Sequence, residues 1–109
     1  MSHEHTSKKN PDAPITNVCI YRVKDGKEAE FLTLLDKHWP TLRKAGLATD
    51  EPAKFYRTFD RKRRLCYVEI FAWINAESPD VAHKTPAVMQ VWEPMGALLD
   101  DMEFLATDD

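Results

Sequence analysis

The sequence predicts an α+β fold, with one four-stranded antiparallel sheet and helices packed on it. Three observations carry the prediction. The run at 65–74, Leu-Cys-Tyr-Val-Glu-Ile-Phe-Ala-Trp-Ile, alternates, so Cys66, Val68, Ile70, Ala72 and Ile74 share one face and Tyr67, Glu69, Phe71 and Trp73 the other. Phe31, Leu34, Leu35, Leu42 and Ala45 recur at helical spacing. A strand-like segment at 54–59 is joined to the 65–74 run by the short polar loop 60–64, which reads as a hairpin.

The first strand is predicted at 15–23, with Val18, Ile20 and Tyr21 inside it. Lys24-Asp25-Gly26 makes the turn, glycine supplying the positive φ that such a corner often needs. The first helix is predicted over 27–45, and His38 falls on its apolar stripe beyond Leu34 and Leu35. Pro40 is expected to end or kink it near Trp39, because proline lacks an N–H and clashes with the preceding turn. Gly46 serves as its C-terminal cap. Residues 47–52 connect to the strand at 54–59. Beyond the third strand, Ser78-Pro79 reads as an N-cap followed by the first helical residue, and Thr85-Pro86 repeats the signal. Two helices are therefore expected, at 79–84 and 86–99. Val88, Val91, Trp92, Met95, Leu98, Leu99 and Met102 form the apolar stripe of the longer one. A short last strand fits 102–107. The order strand, helix, strand, strand, helix, strand is the split βαβ, or ferredoxin-like, plan: βαββαβ.

The chain has 109 residues, enough for one domain. Residues 1–14 are polar, carry Pro11 and Pro14 and lack apolar periodicity. They are expected to be a disordered lead to a single domain over 15–109. A domain of about 95 residues buries only about two-thirds of its unfolded surface, so pairing with a second copy would help its stability. Both faces of the third strand are mostly apolar, and about two helices cannot cover both. The second face is expected to meet another sheet, in a homodimer.

A formal net charge of −3 argues against a general nucleic-acid binder. Arg61-Lys62-Arg63-Arg64 is expected to be a solvated hairpin tip, or else an anion contact, while Asp100, Asp101, Glu103, Asp108 and Asp109 make the C-terminus acidic. No run approaches the ~20 apolar residues of a membrane span, and the N-terminus lacks a signal-peptide core. A cytoplasmic protein with no membrane partner is expected. Cys19 and Cys66 both sit in apolar strands and are expected to be buried thiols rather than a disulfide.

Several residues could carry chemistry. His83 is the candidate base, since histidine titrates near neutrality; a helix-end histidine bonding nearby backbone is the plainer reading. His38 would face the sheet as a core histidine or a pocket ligand, and Tyr21 could orient a substrate. Glu69 must be paired if buried, with Arg57 or Arg22 as expected partners. Tyr21, Tyr67, Trp73 and Trp92 with Met89 and Met95 could wall a pocket for a flat hydrophobic molecule, or simply pack as core or interface. No metal or cofactor is expected. His3 and His5 lie in the N-terminal lead, no His-x-x-x-His or Cys-x-x-Cys pair occurs outside it, and Gly26, Gly46 and Gly96 cannot make a phosphate loop.

Tyr67-Val-Glu-Ile-Phe-Ala-Trp73, then Ala82-His83-Lys-Thr-Pro86-Ala-Val88 and the helix bearing Trp92 and Met95, resemble the dimeric α+β barrel superfamily, closest to its antibiotic-biosynthesis-monooxygenase-like branch. The resemblance covers 17–105. It implies a homodimer whose sheets pack face to face, with a pocket in each subunit between sheet and helices. Members of that superfamily include cofactor-free oxygenases of polycyclic phenols, haem-degrading enzymes and proteins with no assigned activity. The haem-degrading pattern fails here: Cys19 stands near that group's strand-one asparagine, His83 near its tryptophan and Glu93 where its histidine would fall. Three functions remain: binding of a hydrophobic or aromatic small molecule, cofactor-free monooxygenase or isomerase chemistry on a phenolic or ketone substrate with His83 as base, or a structural or interaction module that contacts another protein through its paired sheets and acidic tail.

Overall fold

The computed structural model describes residues 10–107. In chain order they form β1 (Ile15–Val23), α1 (Glu28–Lys44), β2 (Lys54–Phe59), β3 (Leu65–Trp73), α2 (Ser78–Ala82), α3 (Pro86–Ala97) and β4 (Leu99–Ala106). The strands make one antiparallel sheet in the order β2-β3-β1-β4, the predicted ferredoxin-like α+β arrangement.

Strand alternation divides the sheet into two unlike faces. Asn17, Cys19, Tyr21 and Val23 of β1 and Tyr67, Glu69, Phe71 and Trp73 of β3 are all buried. They lie on the side of the helices, where Phe31, Leu35 and Leu42 of α1 and Val88, Val91 and Met95 of α3 complete the hydrophobic core. The aromatic face of β3 is therefore the one the helices cover, a choice that alternation alone left open. Val18, Ile20, Val68 and Ile70 point the other way; they are half-buried and take no part in that core. Tyr56 and Leu105 flank them on the edge strands and are 53% and 51% exposed.

Several elements depart from expectation. α1 runs unbroken through Pro40 to Lys44. Pro40 and Asp36 both lie on the exposed side, so the Asp36 carbonyl that loses its helical donor faces water. Ser78 is the first residue of α2 rather than its cap, and Glu77 holds the cap position; in the turn before it Asn75 Oδ1 accepts the Glu77 N–H at 3.1 Å, the Ser78 N–H at 3.0 Å and the Ser78 hydroxyl at 3.0 Å. α3 stops at Ala97, and β4 begins at Leu99 rather than 102, moving Leu99 and Met102 from the helical stripe onto the sheet. Asn10 to Pro14 contain a turn held by Ala13 N–H on the Asn10 carbonyl, and Ala76 N–H bonds the Pro11 carbonyl, so this end of the expected disordered lead is tied to the domain. The rest of that lead, including His3 and His5, lies outside the described residues, as do Asp108 and Asp109.

The β2–β3 turn is the predicted hairpin tip. Asp60 Oδ1 accepts the N–H groups of Lys62 and Arg64, at 2.8 and 3.0 Å. Arg63 adopts a left-handed φ of 66°. Arg22 reaches across from β1 to Asp60, Asp101 and Glu103, tying the hairpin tip to β4.

Candidate functional site

A chain of buried polar groups crosses the core between sheet and helices. Glu69 has no exposed surface and His38 is 3% exposed. His38 sits on the buried stripe of α1 with Phe31, Leu35 and Leu42, which carries its ring to the middle of β3. Its Nδ1 lies 2.8 and 3.0 Å from the two Glu69 oxygens, and its Nε2 lies 2.7 Å from the indole nitrogen of Trp92. An indole N–H can only donate, so Nε2 accepts and Nδ1 carries the proton that Glu69 receives. His38 is therefore the neutral Nδ1–H tautomer, with both ring nitrogens engaged. The Tyr21 hydroxyl donates to Glu69 Oε1 at 2.6 Å. α1 and β1 thus meet on one carboxylate of β3, and α3 joins them through His38.

That pairing corrects the expectation for Glu69. Arg57 stands on the edge strand and binds Glu28 at 2.7 Å, where the Tyr67 hydroxyl also donates; Arg22 is held by Asp60, Asp101 and Glu103. Alternation puts Arg22 on the face opposite Glu69, and Arg57 and Tyr67 lie beyond it toward the start of α1. Cys19, next to Glu69 in the sheet register, accepts a hydrogen bond from Asn17 Nδ2 at 3.1 Å. Burial, then the Glu69 charge, pushes its thiol up to about 12. The same two causes hold the Tyr21 phenol well above its usual value. Cys19 and Cys66 are both free and buried, as expected.

Above this network lies a groove of two chambers. The first, about 180 Å³, is lined by Tyr21, His38, Met95, Leu99 and Met102; the second, about 320 Å³, by Ile15, Asn17, Trp73, Ala76, Pro79 and Ala106. His83, Trp92 and Phe104 line both. The larger chamber is at the lower end of the ~300–1,000 Å³ typical of small-molecule sites. A more open hollow of 490 Å³ between α1 and α3 is edged by Lys37, Lys44 and Gln90 and contains no buried polar group.

His83 ends α2. Its Nδ1–H donates to the Pro79 carbonyl at 2.8 Å, and its ring meets Trp92 edge-on at 4.9 Å. The backbone bond fixes the tautomer, so in the neutral ring Nε2 keeps a free lone pair. His83 is exposed at the rim of both chambers.

Of the residues singled out from sequence, the groove brings together Tyr21, His38, Trp73, His83, Trp92 and Met95, with Glu69 directly behind them. Tyr67, Arg57 and Met89 line neither chamber. Asn17, Met102 and Phe104 line the groove and were not singled out. Asn17 could have been found by extending the Cys19–Tyr21 alternation backward. Phe104 and Met102 required knowing how β4 pairs with β1, opposite Cys19 and Tyr21.

No family model matches the chain, and no curated protein matches it. Solved structures do. A single-residue variant of SnoaB, a cofactor-independent oxygenase from Streptomyces nogalater, superposes with a TM-score of 0.70 at 19% identity, covering 88% of this chain and 92% of that one. An antibiotic biosynthesis monooxygenase gives 0.67 at 16%, covering 87% and 97%. A NIPSNAP family protein from Agrobacterium tumefaciens gives 0.65 at 15%, covering 93% and 90%. At these identities the likeness is one of fold. The chain has the subunit fold of the antibiotic-biosynthesis-monooxygenase-like, dimeric α+β barrel proteins.

Proposed function

We propose that the protein binds a flat, hydrophobic or aromatic small molecule in the two-chambered groove, acting as a cytoplasmic homodimer paired through the helix-free face of its sheet. The observation that carries the binding reading is the groove itself. Its walls are aromatic and thioether side chains (Trp73, Trp92, Phe104, Met95 and Met102), and few polar groups converge on it. The buried network beneath supports the reading because it holds Trp92, the shared wall, in one place through His38. The dimer reading rests on the half-buried aliphatic face of Val18, Ile20, Val68 and Ile70, which no described helix covers. A thermal-shift screen against aromatic compounds tests the binding reading. A rise in melting temperature with ligand concentration supports it, and no response across phenols, quinones and polycyclic hydrocarbons overturns it.

One observation favours a second reading, a cofactor-free monooxygenase or isomerase. The bond to Pro79 leaves the Nε2 lone pair of His83 available at the groove. In this reading His83 takes a proton from an activated O–H or C–H of a phenolic or ketone substrate. The resulting anion passes its electrons to dioxygen, or is reprotonated at another carbon. Tyr21 orients the substrate, and His38, with no free nitrogen, acts through Trp92. Oxygen uptake or isomerisation with such substrates, lost about 100-fold or more in His83→Ala, is the expected result. Turnover undiminished in that variant would contradict the assignment.

A further inference from the structure

Trp92 is the residue of α3 that lines both chambers, and one hydrogen bond fixes its indole: Nε1–H donates to His38 Nε2 at 2.7 Å. That bond exists only while Nε2 is a bare acceptor. The other ring nitrogen already carries a proton and lies 2.8 and 3.0 Å from the two Glu69 oxygens, so a proton added to the ring goes to Nε2. The imidazolium then turns an N–H toward the indole N–H, two donors with no acceptor between them. One ring must give way. His38 is 3% exposed, is held by Glu69 and has Phe71 edge-on at 5.7 Å. Trp92 is half-buried and borders the 180 and 320 Å³ chambers, so it is the ring with room to move.

We propose that His38 and Trp92 form an acid-released latch on the groove wall: protonation of His38 Nε2 frees the Trp92 indole, which turns away and changes the partition between the two chambers. The inference concerns the wall itself and stands whatever the groove binds. Imidazole is the side chain whose ordinary titration falls between about pH 5 and 8. The charged ring would not be an isolated buried cation, because its Nδ1–H stays on the Glu69 carboxylate. The groups around it are few. β3 presents Glu69, and β1 presents Tyr21 and Cys19. Burial and the Glu69 charge hold the Tyr21 phenol well above its usual value and push the Cys19 thiol up to about 12, so both keep their protons. β2 brings Phe55 beside Glu69, and α3 and β4 bring Met95, Leu99, Met102 and Phe104, all uncharged. On α1 itself Asp36 and Lys37 are exposed. α2 brings His83, on the far side of Trp92 at 4.9 Å between ring centres.

The test is nitrogen-15 magnetic resonance of the full-length chain without ligand, titrated from about pH 8 to about pH 5, with far-ultraviolet dichroism at each point. The two His38 ring nitrogens are expected to start unlike, one protonated and one bare, and to converge as the imidazolium forms. In the same step, with the dichroism unchanged, the Trp92 indole signal is expected to shift. Its indole proton is expected to exchange with water about tenfold faster relative to that of Trp73, as a donor that has lost its acceptor. His83 is a second imidazole beside Trp92, so His83→Gln is the control, and the step is expected to persist in it. In His38→Gln, whose amide oxygen accepts from Trp92 without titrating, the step is expected to vanish. An exchange ratio that stays constant while His38 protonates overturns the latch. So does a step lost in His83→Gln or kept in His38→Gln, and so does a His38 ring that stays neutral until the chain unfolds. Should His38→Gln fail to fold, the His38 and Trp92 midpoints and the exchange ratio in the wild type and His83→Gln decide the matter: coincident midpoints with faster exchange support the latch, and separate midpoints overturn it.

Discussion

At the residue scale, the account turns on the carboxylate of Glu69. It accepts from Tyr21 and His38, and His38 accepts in turn from Trp92. Removing the acceptor strands two buried donors, whereas removing one donor leaves the carboxylate with its other partner. Glu69→Leu is therefore expected to lower stability by about 3 kcal/mol, and Tyr21→Phe by about 1 kcal/mol, as checked by denaturant unfolding. Asp60 carries a pH dependence. Hydrogen bonds from the Arg64 backbone, then from the Arg22 and Arg64 side chains, hold its carboxyl well below the ordinary value of 3.8. Its folded-state pKa is depressed, so its contribution is present above that ordinary value and lost as pH falls below it. Urea unfolding at pH 6 and pH 3 should show a smaller loss on acidification in Asp60→Asn than in the wild type. An equal loss in both would contradict the assignment. The identities of the network residues were legible in the sequence: His38 on a helical stripe and Glu69 amid aromatic residues both marked themselves. Their partners were not, because pairing depends on which strands are neighbours and which faces coincide. That is why Arg57 and Arg22 looked plausible from charge alone.

At the scale of elements, alternation and helical spacing located β1, β2 and β3 and the body of α1 almost to the residue, because each pattern extends over two or more turns or repeats. What failed was local. Pro40 was expected to end or kink α1; the helix does not end there, because tertiary packing of Phe31, Leu35, His38 and Leu42 outweighs the loss of one helical bond on the wet side. Pro40→Ala is expected to raise stability by about 1–2 kcal/mol, the full helix penalty of proline being offset partly by the extra freedom that alanine gives the unfolded chain. A lowered melting temperature would contradict it. The start of β4 was misplaced because the apolar residues Leu98, Leu99 and Met102 continue a helical period past the true end of α3. Phe104 lay inside the predicted last strand, but its place on the groove wall with Trp92 and His83 follows from its pairing with Cys19, which the sequence does not show.

For the whole molecule, the sheet has one face closed by helices and one that no helix among the described residues covers. The unclosed face presents Val18, Ile20, Val68 and Ile70, bordered by exposed Tyr56 and Leu105. The two-sided apolar character of β3 already pointed there from sequence, since one face of a strand cannot be buried without an element to cover it. Ile70→Lys is expected to halve the mass seen in sedimentation while leaving the far-ultraviolet dichroism intact, because burying an unpaired ammonium between two sheets costs several kcal/mol. A wild type that sediments as a monomer at micromolar concentration would contradict the pairing. The groove lies on the other side of the sheet, between β4, β1 and the short helices.

The central claim, that this groove takes an aromatic molecule, is tested most directly by nitrogen-15 magnetic resonance of the indole groups during titration with 2-naphthol. The indole N–H of Trp92 donates to His38 inside the groove wall, while Trp39 lies on α1 outside it. The account predicts a saturable shift of the Trp92 and Trp73 indole signals with the Trp39 signal unmoved. Shifts confined to Trp39, or none up to the solubility of the probe, would contradict it.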